Sequence, residues 1–357
     1  MTTPTSNPIT LPTTGSDSTP ITTLLSTPDD LLAAVPFLIG YHPQESLVII
    51  ALKKSAIGMA MRMDFPATTP LELMACAAQI AMHLHREGAD SAIIVGYLPQ
   101  GANLNNGALD EIAAAIKSNG ISLSEVVEVS ADRFRSTLCQ RPDCCPPEGL
   151  LLQKSTDSRI SAEQVALGHP MPFAGLAEMR ESIAALPKDK ELIRAIRAIE
   201  QIDYEELDPA EILQLQREGA LAVNTLSESY GEVGIGLDRS LLALVLVRLH
   251  DLQVRDYAMG LATPEDSLSL WAMWRWILRI APTGYIAPVA SIFATASYER
   301  GEGALAQRAL DRALEDDSRY QMAKLLRRTF AAGWPPESFS TMRAELHPKI
   351  CAALFSE

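Results

Sequence analysis

The spacing of apolar residues changes once along this chain, near Gly149, and that change limits what the chain can fold into. Upstream, β-branched runs and two-residue alternation are interleaved with helical spacing; downstream, helical spacing alone continues to the C-terminus. A period of two sends alternate side chains to opposite faces of a sheet, whereas a period of 3.6 gathers them on one stripe of a helix. The chain is also longer than one hydrophobic core usually serves. The expectation is therefore an α/β domain over residues 24–150, with a mixed, partly parallel sheet and helices, followed by an all-α helical domain over 151–357.

The upstream half supplies its elements one by one. Thr27 can cap a short helix with Pro28 at its first position and Asp29 and Asp30 in its first turn, and the helix ends near Pro36. Ser46 to Leu52 (SLVIIAL) reads as a buried strand, and Gly58 to Phe65 as a second, in which Met59, Met61, Met63 and Phe65 alternate with Ala60, Arg62 and Asp64. Helical spacing over 68–87, a strand at Ser91 to Leu98, a helix at Asn105 to Ser118 and strands at Leu123 to Ser130 and Arg133 to Leu138 complete the set. Strands separated by helices of this length imply some parallel pairing, because parallel neighbours need a crossover.

Downstream, amphipathic helices are expected at 175–186, 188–202, 209–226, 238–251, 264–281, 288–300, 303–315 and 318–332, then a helical tail from Pro336 broken at Pro348. One hairpin is tetratricopeptide-like: Ala313 and Leu314 on the closing pair place Ala306 and Leu310 at the small and large positions and Gly301 in the turn. A plain antiparallel helix pair explains the same residues. Trp271, Trp274 and Trp276 share a helix that reads as buried, with Arg275 and Arg279 paired, on this reading, with an acid of the 203–208 loop.

Charge and composition narrow the function classes. The net charge is −14, and both halves are acidic, which opposes the counterion release that drives nucleic-acid binding. No apolar run approaches the ~20 residues of a membrane span. Residues 1–23, rich in Thr, Ser and Pro, read as a disordered tail without an export signal; with five cysteines, three of them clustered, that points to reduced thiols in the cytoplasm.

The segments LLAAVPFLIGYHPQESLVIIAL, MRMDFP, RFRSTLC with CCPPEG, and GEGALAQRALDRALEDDSRY together resemble an actinobacterial family of uncharacterised proteins, domain of unknown function 4192. The resemblance covers nearly all of the chain expected to be ordered. It implies a bacterial cytoplasmic protein of the same two-part layout and supplies no activity, and the cofactor is left open.

Two constellations are candidates for chemistry. Cys139, Cys144 and Cys145 in CQRPDCCPPEG could supply three metal ligands, with His83 or His85 as a fourth, or a reactive thiol. The leading reading is a stiff loop packed with small thiols, since the adjacent pair lacks the usual chelating spacer. The other constellation comprises His42 and Asp64 as candidate catalytic groups and Arg62, Arg133 and Arg135 as candidate ligand-binding groups. If their strand faces converge, they form a cationic pocket for an anion. Phosphate-loop, nucleophile-elbow and zinc-protease motifs are absent. The expected role is a non-enzymatic interaction or regulatory protein, its helical domain docking a protein partner and its α/β domain binding a partner or small anionic ligand. The alternative is a hydrolase- or transferase-type enzyme at the strand ends.

Overall fold

The computed structural model describes residues 9–11, 23–66, 69–104, 107–153, 158–199, 207–233, 238–263 and 266–355. Two compact units are present, the first ending at Met179 and the second beginning at Arg180. The N-terminal unit is a mixed sheet with helices and the C-terminal unit is helical, as the change of periodicity implies.

In the first unit the strands are β1 (Ile9–Leu11), β2 (Thr23–Leu25), β3 (Ser46–Lys53), β4 (Ala56–Asp64), β5 (Ser91–Tyr97), β6 (Ser122–Ser130), β7 (Arg133–Ser136) and β8 (Leu150–Leu151). They lie in the order β2-β1-β4-β3-β5-β6-β7-β8. β3 pairs antiparallel with both β4 and β5, while β5 and β6 are parallel and are joined through α3 (Ala108–Ser118), the crossover that the strand–helix alternation requires. β1 falls within the stretch expected to be a disordered tail; most of that stretch lies outside the described residues.

One sheet face packs on α2 (Pro70–Glu87) and α3. Leu47 and Ile49 of β3 and Ala92 and Ile94 of β5 meet Leu73, Ala77, Ile80 and Leu84 of α2, and Leu109, Ile112 and Ile116 of α3. The alternate set, Val48, Ile50, Ile93 and Val95, is equally buried, so the central strands are covered on both sides. Gly96 has no side chain because Leu109 occupies the space: a Cβ there would lie 2.1 Å from Leu109 Cδ1.

The helix α1 (Pro28–Ile39) begins as expected, with Asp30 N–H donating to Thr27 Oγ1 at 3.1 Å. It runs through Pro36 and stops at Gly40, whose φ of 84° suits glycine. The helix α4 (Arg159–Ala166) carried no clear sequence signal. It docks on α1 and β2 through Arg159 to Asp30 at 3.2 Å and Gln164 to Thr23 Oγ1 at 3.2 Å. Phe173 bridges Tyr41, which places the stretch after Gly149 in the sheet unit.

Around the division lies α5 (Leu176–Glu181). The second unit then comprises α6 (Lys190–Ala198), α7 (Pro209–Val233), α8 (Arg239–Arg248), α9 (Leu252–Gly260), α10 (Ser267–Ile280), α11 (Ile286–Glu299), α12 (Gly303–Asp316), α13 (Gln321–Ala331) and α14 (Pro336–Phe355). α9 is a separate helix because Asp251, the expected end of the 238–251 helix, caps a new one, accepting from Gln253 N at 2.8 Å. α14 continues through Pro348 where a break was expected. α11, buried over most of its length, packs on α9, α10, α12, α13 and α14. Ala306, Leu310 and Ala313 are buried beside it, as they would be in a tetratricopeptide unit or in any packed helix pair.

On α10 only one face is fully buried, with Trp274 at its centre; Trp271 and Trp276 are half-buried. Most of the 203–208 loop, where an acid partner for Arg275 and Arg279 was expected, lies outside the described residues. Among the described residues Arg275 donates to Ser182 O at 3.0 Å and Arg279 to Ala184 O at 3.3 Å. Segment 182–184 is thereby strapped to the helix by guanidinium groups.

Candidate functional site

Strand register decides which of the expected site residues share a face. Ser46 lies opposite Asp64 and Val48 opposite Arg62, so those two charges share the face of Ser46 and Val48. Leu47 lies opposite Gly96, Gly96 opposite Glu128 and Glu128 opposite Arg135, which puts Arg135, and Arg133 two residues before it, on the other face. The two arginine-bearing strands therefore point their charges to opposite sides of the sheet, and no common pocket forms from Arg62, Asp64, Arg133 and Arg135.

Each of these groups has local work. Arg62 pairs with the exposed Asp64 and donates to Gln44 O at 3.5 Å. Arg133 donates to Gly149 O at 2.8 Å, closing the base of a loop, while Arg135 lies across from the fully buried Glu128. The backbone N–H of His42 donates to Phe173 O at 2.9 Å, and burial lowers the pKa of its ring below the ordinary value of 6.5.

The cysteine loop is anchored by hydrogen bonds at its start and at its turn. It leaves the end of β7, where Ser136 Oγ donates to Glu125 Oε1 at 2.6 Å and accepts from Cys139 N at 3.2 Å. The chain then turns over Arg141, whose carbonyl accepts from both Cys144 N at 3.0 Å and Cys145 N at 2.8 Å. That turn overrides the tendency of adjacent side chains to diverge. The Sγ atoms of Cys139, Cys144 and Cys145 all lie within 4.8 Å of one another. Cys144 is exposed and the other two are half-buried, so the cluster is open to solvent on one side.

The cysteine loop, strands β3 to β8 and helices α1 to α13 fall within one family model, the domain of unknown function DUF4192, which matches residues 28–337. The chain belongs to that family. No curated protein and no solved structure matches it. Within this DUF4192 chain the match begins at the first residue of α1 and ends in the first turn of α14.

The electrostatics of the loop divide its thiols. Cys139 is held below the ordinary thiol value, first by the Arg141 N–H, then by the neighbouring Cys145 and Cys144 thiols and the Arg141 charge. Cys145 is pushed up to about 11 by burial and by the proximity of the other two sulfurs. One sulfur is thus disposed to be a thiolate, and it discourages the second from following.

Ser136, Glu125 and Arg141 build this site, and sequence reasoning missed all three. The only signals were the C-x4-C-C spacing and Pro142, because the contacts are a strand-end hydroxyl, a carboxylate on the neighbouring strand and a main-chain carbonyl. His83 and His85 are not in the cluster; His85 Nε2 is 2.8 Å from Asn119 O. Among the described residues no helix is long and apolar enough to cross a membrane.

Proposed function

We propose that this protein is a non-enzymatic regulatory or interaction protein whose α/β unit holds a thiophilic metal ion at Cys139, Cys144 and Cys145, and whose helical unit docks a protein partner. The convergence of the three Sγ atoms within 4.8 Å carries this reading. Zinc–thiolate bonds of ~2.3 Å put sulfurs of a tetrahedral site roughly 3.8 Å apart, so small side-chain rotations suffice. Three thiolates at such a spacing repel one another, a smaller contribution after burial to the raised Cys145; a divalent cation removes that penalty. Because Cys144 is exposed, a fourth ligand would come from an external donor. Exposed Leu252 and Leu268 on the helical unit suit a partner surface.

Titration of the reduced, metal-free chain with cobalt(II) tests it. The expected result is one ion per chain, intense thiolate-to-metal absorption, displacement by zinc, and loss of the signal in Cys139→Ser and Cys145→Ser. Binding that survives both substitutions, or none at all, overturns the reading.

A further inference from the structure

The helix α2 has two apolar faces, and the sheet uses only one. Leu73, Ala77, Ile80, Ala81 and Leu84 face the core. On the opposite side Leu71 is 79% exposed, Met74 66% and Met82 61%, with Ala75 and Ala78 exposed between them. From Leu73 to Met82 Gln79 is the one residue with a strongly polar side chain, and no charged residue occurs between Glu72 and Arg86. α3, packed on the same sheet face, turns Asp110, Glu111 and Lys117 to solvent, as a surface helix ordinarily does. A helix apolar on all sides belongs in an interior.

Leu71, Ala75, Ala78 and Met82 follow the alternating four- and three-residue spacing of a helix-pairing seam. The charges flanking it are self-complementary, Glu72 at the start and Arg86 at the end, both exposed. We propose that α2 is the seam of a homodimer in which two copies of this chain pair antiparallel through this face. A twofold axis passing between Ala78 and Gln79 sets Met82 of one copy over the small Ala75 of the other. It brings Glu72 of each copy near Arg86 of its mate, and the two Ala78 residues let the helices approach at their crossing. A parallel pairing would instead stack like charge on like charge. An 18-residue helix is ~27 Å long, so this contact is small for an interface, and the dimer is concentration-dependent.

Sedimentation of the full chain over about a hundredfold range of concentration should show a monomer–dimer equilibrium, and Ala78→Glu should move its midpoint upward by about tenfold or more. Ala78 is exposed and Glu is a good helix former, so an unchanged helical circular dichroism spectrum verifies that the variant is folded. Ala78→Cys should then form a disulfide-linked dimer above the background of the parent thiols. Leu71→Cys should not, because its two copies lie ~22 Å apart in the antiparallel pair. A monomer throughout, a dimer indifferent to Ala78→Glu, or equal cross-linking at both positions overturns the proposal.

Discussion

Cys139 and Cys145 share a hydrogen bond between their thiols, and their surroundings drive them in opposite directions, Cys139 below the ordinary thiol value and Cys145 up to about 11. Near pH 8 only about one Cys145 in a thousand is then a thiolate, while Cys139 ionises far more readily. Alkylation with iodoacetamide, followed by peptide mass mapping across pH, should label Cys139 first and Cys145 last. In Cys139→Ser the labelling of Cys145 should move to lower pH, because a neighbouring sulfur that opposes its ionisation is gone. Equal rates for the two thiols would remove the electrostatic basis of the metal site.

Arg343 ties α14 to the centre of the helical unit. It reaches Glu299 Oε1 at 2.6 Å and Gly260 O at 3.0 Å, and both side chains of the pair are nearly excluded from water. Arg343→Met leaves Glu299 buried without its cation and should cost about 3–5 kcal/mol, measured by urea unfolding. The double variant Arg343→Met/Glu299→Gln should recover part of that loss. A single-variant cost below about 1 kcal/mol would mean that water reaches the carboxylate.

Gly96→Ala places a methyl group 2.1 Å from Leu109 Cδ1, between β5 and α3. Overpacking of this kind costs about 1–3 kcal/mol, because Leu109 must leave its rotamer or the helix must move. Combined with Leu109→Ala, the substitution should add less than it does alone, since the clash has been removed. Full additivity would contradict the close approach.

Burial lowers the pKa of His250 below its ordinary value of 6.5, against the opposing pull of Asp316; His42 and His347 are shifted the same way. A depressed folded pKa means that the unfolded chain takes up protons first as pH falls. The stabilisation is therefore complete above about pH 6.5 and is lost as pH drops through the lower folded value. The melting temperature should fall between about pH 7 and pH 5, less steeply in His250→Gln. An identical slope in that variant would show that His250 remains solvated.

Much of the architecture was legible in local pattern. The SLVIIAL run became β3, the methionine alternation of β4 turned Met59, Met61 and Met63 to the α2 side, and Thr27 and Pro28 opened α1 as their chemistry requires. α4 and α9 were not legible, because α4 is only eight residues long and the cap of α9 coincides with the end expected for the helix before it. The site was least legible. Arg62 and Arg135 each alternate correctly within their own strands, yet only the pairing across β4-β3-β5-β6-β7 shows that they face opposite ways.

From the amino-acid sequence alone came the order of the central strands and of most helices, the change of regime past Gly149 and the family resemblance, since each is written in spacings of a few residues. Tertiary structure decided that the Arg62–Asp64 pair and the Arg133–Arg135 pair part, that Arg343 reaches Glu299, and that three thiols meet. Those outcomes depend on the register and turns that join segments distant in the chain, and the free energy that selects them is spread over contacts no local pattern contains.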